Sequence, residues 1–267
     1  MLTENEDTAE TEPAPTTRAD IDAVALKPTE HDLGAALDLP VDTVAVDYEG
    51  RDAVPDEGTL ARLAERFDCY VTTPVRADGF DPLGDDSLLD HVPDAARRVV
   101  VAGHPAYLTE EERERAVAPR LRAARETAPD AWVGTESVER VALAAGGVQY
   151  ELLGRGTEHD VQALRAAGFD GGIALYAPVV LSTDEDGILD AVGAYAARRA
   201  PVRHALPDNA AVDATATGRA REVLSQAVRD YALVGDAPTV ADRVADLRAA
   251  GVDTVVGYPA RGIDELQ

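Results

Sequence analysis

The sequence holds one cysteine, one methionine, one tryptophan and, at position 27, one lysine. With Cys69 alone, no intramolecular disulfide and no cysteine-ligated zinc cluster can form. Basic residues number 25 against 50 acidic ones, a formal charge of -25. No basic stripe that could track a phosphate backbone is present, and an anionic membrane repels such a chain at low salt. Neither nucleic acid nor a membrane is therefore an expected partner. Long apolar runs are also missing: the longest are strand-sized, far below the roughly 18 residues of a spanning helix, and nothing resembles a signal peptide. The expectation is a cytoplasmic globular protein. Its acid is dispersed along the chain and arginine stands almost everywhere for lysine, the composition of a halophilic protein kept soluble in concentrated salt. The charge then describes the solvent rather than a partner.

What is present is ample apolar material, 45% of 267 residues. That length suits one barrel of about 250 residues. Met1 to Ala19, acidic and nearly free of large apolar side chains, reads as a disordered tail. From Asp20 a single rhythm sets in, a short β-branched run followed by a longer amphipathic stretch. The runs are Ile21–Leu26, Val41–Asp47, Cys69–Val75, Arg97–Ala102, Ala131–Gly134, Val148–Leu153, Gly172–Leu181 and Asp253–Gly257. Each is strand length and bounded by Gly, Pro or Asp, as buried parallel strands are. Helical patterns lie between them: Thr59–Phe67, Glu111–Thr127 behind a Thr109 cap, Glu158–Ala167, Asp184–Arg199, Ala214–Ala232 and Val240–Ala250. Eight strands alternating with helices predict an α/β fold, a (β/α)8 TIM barrel over 20–267. A doubly wound sheet is the alternative, but no G-x-G-x-x-G follows the first strand.

Three stretches resemble a known family. The end, ALVGDAPTVADRVADLRAAGVDTVVGYPARG, resembles the C-terminal segment of the luciferase-like flavin and deazaflavin oxidoreductases, nearest the methylenetetrahydromethanopterin reductase branch. Gly235, the helix 240–250, Gly251 and the turn Gly257-Tyr258-Pro259 carry that likeness. VDTVAVDYEGRDAVPDEGTLARLAERFDCYVTTPV is similar to the family's second strand, second helix and third strand, and LLDHVPDAARRVVVAGHP to the helix and strand that follow. The resemblance implies a bacterial-luciferase-like barrel, a deazaflavin cofactor (coenzyme F420) or FMN, and often a homodimer, with the helix near Ala214–Ala232 as a candidate face. The chain departs from the family where the chemistry sits. Asp47-Tyr48 stands for the usual Asp-His, Thr72-Thr73-Pro74 for a glycine ending strand three, and His104 near a second glycine. The chain is also short, so insertions that shape substrate pockets are expected to be absent.

In a barrel the strand carboxyl ends carry the site. Three residues there are candidates for catalysis. Lys27 can hold a phosphate as a point charge, form a Schiff base, or simply sit solvated. Asp47, two residues before Glu49, can act in acid–base chemistry and matches the family's acidic position. His104 can exchange a proton, bond a flavin-like ring, or cap a turn. Thr73, Gly103, Gly154, Arg155, Tyr176, Gly257 and Arg261 are candidates for cofactor binding, Gly154-Arg155-Gly156 before a helix being a plausible anion cradle. Gly235 offers a second one. The remaining histidines lack ligand spacing, so no metal is expected. No G-x-S-x-G elbow supports a serine nucleophile, and Cys69 opens a strand at the structural end of a barrel.

These readings converge on hydride transfer between deazaflavin or flavin and a small carbon substrate such as a pterin-bound one-carbon unit. The alternatives are a non-catalytic or regulatory descendant, with Tyr48, Tyr176 and His104 plugging the mouth, and a barrel lyase or aldolase using Lys27.

Overall fold

The computed structural model describes residues 14–267. Among them, seven strands appear in chain order before the large excursion: β1 (Ala23–Leu26), β2 (Thr43–Val46), β3 (Asp68–Pro74), β4 (Arg97–Val101), β5 (Trp132–Gly134), β6 (Gln149–Leu152) and β7 (Ile173–Val180). A two-residue β8 (Leu233–Val234) and then β9 (Thr254–Pro259) complete the set. All pairings are parallel. β1 to β7 pair successively except that β7 also pairs β9, and β9 returns to β1 through Ala23↔Val256 and Val24↔Gly257. Eight strands thus close a (β/α)8 TIM barrel, with β8 as a short addition beside the end of β7. All eight expected strands are present.

Period-two alternation divides the strand residues between two layers. Inside the barrel the small Ala23, Ala25, Ala45 and Ala174 stand among the large Tyr70, Trp132, Tyr150, Tyr176 and Tyr258. Small residues leave the room that the rings occupy: Tyr70 stacks on Trp132 at 4.0 Å, and Trp132 lies 5.6 Å from Tyr150. The opposite faces, including Val24, Leu26, Val44, Cys69, Leu175 and Val255, meet the outer layer through Leu60, Leu63, Val244 and Leu247. Cys69 is in that layer, and burial pushes its thiol up to about 12.

The helices are less regular than the alternation predicts. β1 leads to β2 through the 3-10 turn Ala35–Asp38, and β3 to β4 through another, Ser87–His91. α1 (Pro15–Arg18) precedes the barrel, and α2 (Glu57–Arg66) packs between β2 and β3. The helix expected over 111–127 is two helices, α3 (Glu110–Glu114) and α4 (Val117–Thr127). Pro119 has no N–H for the Arg115 carbonyl, so one continuous helix would lose a bond there. Thr109 does cap α3, in a reciprocal box with Glu112. α5 (Glu139–Ala145) and α6 (Thr157–Ala166) follow β5 and β6. The first part of the expected tail, residues 1–13, lies outside the described residues. Its last part is placed on the barrel, with Thr16 Oγ1 donating to the Leu266 carbonyl at 2.9 Å and Ala19 fully buried.

Insertions that shape the pocket were expected to be absent, yet one is present. Between β7 and β8 the chain makes an insertion of α7 (Glu185–Ala197), α8 (Ala200–Ala205) and α9 (Gly218–Tyr231). It has its own apolar core of Ile188, Leu189, Val192, Leu224 and Val228. The apolar face of α9 is spent there against α7. α10 (Ala237–Ala250) then runs back along the barrel beside α6 and ends at Gly251, whose φ of +117° suits glycine.

Candidate active site

The mouth at the strand carboxyl ends opens into a cavity of about 420 Å3, within the usual range of roughly 300–1,000 Å3 for small-molecule sites. Five expected residues line it: Lys27, Asp47, Gly103, His104 and Tyr176. Lys27 and Asp47 directly follow β1 and β2, and the Asp47 amide continues the ladder onto the Leu26 carbonyl at 2.8 Å.

Asp47 is the enclosed acid of the site. Burial pushes its carboxyl up to about 7; Glu49 adds to that, while the Lys27 charge and bonds from Thr72 and Tyr176 pull the other way. The Thr72 bond is long, 3.5 Å. Lys27 places its ammonium 3.1 Å from Glu30 and 4.1 Å from the centre of the Tyr258 ring, and the Tyr258 hydroxyl donates to the other Glu30 oxygen. Burial raises the Glu30 carboxyl, but the Tyr258 and Lys27 contacts outweigh it and hold it below its ordinary value. Glu49 accepts from the Thr29 amide at 2.8 Å and its hydroxyl at 2.6 Å. Beneath them His31 locks the loop after β1. Its Nδ1 accepts from the Lys27 amide at 3.0 Å, and its Nε2 lies 3.2 Å from the Pro259 carbonyl. Burial lowers the His31 pKa.

The opposite wall comes from the loops after β3 and β4. Gly103 has a φ of +94°, and a Cβ there would come within 3.1 Å of Pro74 and 3.0 Å of Leu108, so the turn needs glycine. Arg76 holds this turn, donating to the Ala102 and Gly103 carbonyls at 2.7 and 3.0 Å. His104 is exposed at the rim and accepts from the Ala106 amide at 3.2 Å as a cap. Tyr48 turns aside onto Phe80 and Tyr107, with ring centres 5.7 and 6.4 Å away. The mouth is consequently open rather than plugged.

The other expected cofactor residues lie elsewhere. Thr73 is one residue out of phase with Thr72; it is fully buried on the outer face, bonded to Arg98 and near the Val99 carbonyl. Arg155 is exposed and outside the cavity. In the Gly154 loop the Gly154 amide already donates to Thr157 Oγ1 at 2.8 Å, which uses part of the anticipated cradle. Gly257 serves packing: a Cβ there would stand 2.9 Å from Val179 and 3.1 Å from Ile21. Arg261 reaches toward Glu265 at 3.7 Å. At Gly235 the following helix is capped by the Asp236 carboxylate, which occupies the place an anion would take.

Sequence reasoning missed a third wall. Tyr150 and Gly134 come from inside the barrel, while Tyr195, Arg198 and Arg199 come from the end of α7 in the insertion. Arg199 lies over the Tyr195 ring at 4.6 Å, donates to its hydroxyl, and stands 3.9 Å from Glu136. Two buried polar atoms of this wall have no protein partner, the Tyr150 hydroxyl and Arg199 Nε. A rule that looks only at strand ends overlooks helix residues; the Arg-Arg pair at a helix terminus is the one signal the sequence offered. Among the described residues no group of three potential ligands is placed to hold a metal ion, and no helix is long and apolar enough to cross a membrane.

Parallel closure and a polar mouth at the strand carboxyl ends define a TIM barrel. The chain belongs to the family of unknown function DUF7388, whose profile matches residues 16–266. No curated protein matches it. Among the solved structures that share the fold are two F420-dependent enzymes. One is an F420-dependent secondary alcohol dehydrogenase in complex with an F420-acetone adduct, with a TM-score of 0.61 and 11% identity over 92% of this chain and 96% of that one. The other is the coenzyme F420-dependent tetrahydromethanopterin reductase from Methanopyrus kandleri, with a TM-score of 0.64 and 14% identity over 92% of this chain and 94% of that one. At such identities the likeness is one of fold.

Proposed function

We propose that this barrel is an oxidoreductase that moves a hydride between a deazaflavin and a small carbon substrate. The observation that carries the reading is Asp47: an enclosed carboxyl, raised to about 7, at the carboxyl end of β2 in an open cavity. A group titrating near neutrality can take a proton in one direction of a reaction and return it in the other. The fold shared with two F420-dependent enzymes supports the choice of cofactor.

The residues present suit such a group. Tyr48 and Tyr107 offer aromatic edges, and the exposed Arg198 at the rim, in contact with the Tyr195 ring, suits an anionic tail. Bound there, a deazaflavin supplies a two-electron hydride acceptor or donor. For a substrate carrying a carbinol, the carbon gives up a hydride as the C–H bond breaks. The Asp47 carboxylate takes the hydroxyl proton, and a carbonyl remains. Lys27 is committed to Glu30 and the Tyr258 ring, so a Schiff base would require breaking both contacts. The open mouth favours catalysis over a regulatory descendant.

Thermal unfolding in molar KCl tests the proposal. Deazaflavin at about a hundred times its dissociation constant should add roughly 2.7 kcal/mol, a rise of roughly 5–10 °C. A shift with FMN alone would move the assignment to flavin. No shift with either would sink the hydride-transfer reading.

A further inference from the structure

The third wall of the cavity, built by β6 and the end of α7, holds two donors that the protein itself leaves unanswered. The Tyr150 hydroxyl is shut off from solvent on a residue only 6% exposed, and no acceptor meets it. Arg199 Nε is likewise buried and unpaired, although the rest of that guanidinium is engaged by Tyr195 and Glu136. Both residues line the cavity and both neighbour Tyr195. Buried donors are almost always bonded, because desolvation without a partner is costly. Two such donors on one wall of one cavity are explained together if a ligand supplies the acceptors.

We infer that Tyr150 and Arg199 form a subsite for the carboxylate of the substrate. Naming the substrate class in this way, a small hydroxy- or oxo-carboxylate, rests on the hydride-transfer reading above. One neutral and one cationic donor suit a group with two oxygens and a single negative charge. A phosphate dianion is poorly suited, because Glu136 stands 3.9 Å from Arg199 and Asp47 lies close enough to Tyr150 to act on it electrostatically. An uncharged alcohol would meet Arg199 Nε with a neutral acceptor only, a weaker bond than a carboxylate makes to a guanidinium. Asp47, at the carboxyl end of β2, lines the same cavity, so a carboxylate held by Tyr150 and Arg199 keeps the adjoining carbon in one cavity with the group that exchanges the proton.

Trp132, the single tryptophan, lies 5.6 Å from Tyr150 and reports on the subsite. The test is a fluorescence titration of the full chain in 2 M KCl with glycolate, ethylene glycol and inorganic phosphate. Glycolate should give a saturable change that the other two do not. Tyr150→Phe and Arg199→Gln should each weaken glycolate roughly tenfold or more. Tyr150→Phe should melt no lower than the parent, since its hydroxyl has no bond to lose. A merely structural tyrosine would leave glycolate affinity unchanged. Absence of saturation, parental glycolate affinity in either variant, or equal binding of phosphate would overturn the subsite. If glycolate fails while deazaflavin still raises the melting temperature, the subsite alone is wrong. If glycolate binds as expected and deazaflavin has no effect, the subsite stands and the oxidoreductase assignment falls.

Discussion

The behaviour of a single carboxyl sets the first expectation. Asp47 has an ordinary carboxyl value of 3.8 when unfolded and about 7 in the fold. A group whose folded pKa is raised contributes most below the unfolded value, and that contribution is lost as pH rises through 7. Above pH 7 the fold therefore carries an enclosed charge at a cost on the order of 2–4 kcal/mol. Asp47→Asn should raise the melting temperature at pH 8, the gain should shrink steadily between pH 7 and pH 4, and acid–base activity should go with the carboxylate. A pH-independent difference in melting temperature would show that the carboxyl is not what titrates. The placement of Lys27, Asp47 and His104 at the mouth was legible from the sequence because each follows an apolar, strand-length run. Thr73 was misplaced, since a one-residue phase error sends a strand side chain to the other face. Tyr150 was missed for a related reason: the run 148–153 is evident, but which alternate residues face inward depends on the neighbouring strands.

Elements place these residues, and some of the placement comes from loops that the alternation of strands and helices does not describe. The long connection after β3 is held to the one after β4 by a buried carboxylate. Asp81, 1% exposed, receives Arg120 Nε at 2.9 and 3.0 Å and Arg115 at 3.3 Å. Arg115 also binds Asp78 at 2.6 Å, and the Asp78 amide donates to Glu112 at 2.7 Å. Arg76 completes the link to Gly103. These contacts join residues 27 to 39 positions apart, so nothing local in the sequence signals them. The α3 cap, by contrast, was readable from Thr109 alone because capping is local. Removing one partner of a buried pair usually costs more than the pair contributes net. Here both arginines reach partial solvent, 17% and 16% exposed, so Asp81→Ala should destabilise by roughly 2–3 kcal/mol. It should also free the Gly103–Tyr107 rim, seen as faster amide exchange there than in the parent. Unchanged exchange at the rim would mean that Asp81 supports only its own loop. The insertion teaches the same lesson on a larger scale: its helices were visible as amphipathic stretches, but their position over the mouth follows from packing on β7 and on each other.

For the molecule as a whole the governing quantity is charge. Ion pairs ring the surface, among them Arg122–Glu126 and Arg219–Glu222, but exposed pairs such as these contribute about 0–1 kcal/mol each. Salt weakens them, which by itself would make added KCl destabilising. The excess of acid opposes that trend. With 50 acidic and 25 basic residues, half the carboxylates lack a counter-charge even if every basic group is paired. Their mutual repulsion acts over many pairs at distances beyond contact, where screening is most effective: the Debye length falls from about 10 Å at 0.1 M salt to about 3 Å at 1 M. Relief of repulsion should therefore exceed loss of pairing, and the melting temperature should climb by several degrees between 0.1 and 1 M KCl. Because screening saturates once the Debye length is shorter than the spacing of surface charges, the climb should flatten beyond that range. A continued rise in sulfate but not in chloride at higher concentration would point instead to exclusion of salt from the surface. A fall in melting temperature between 0.1 and 1 M KCl would show that the arginine–carboxylate pairs outweigh the repulsion, and that the acidic surface is no adaptation to salt.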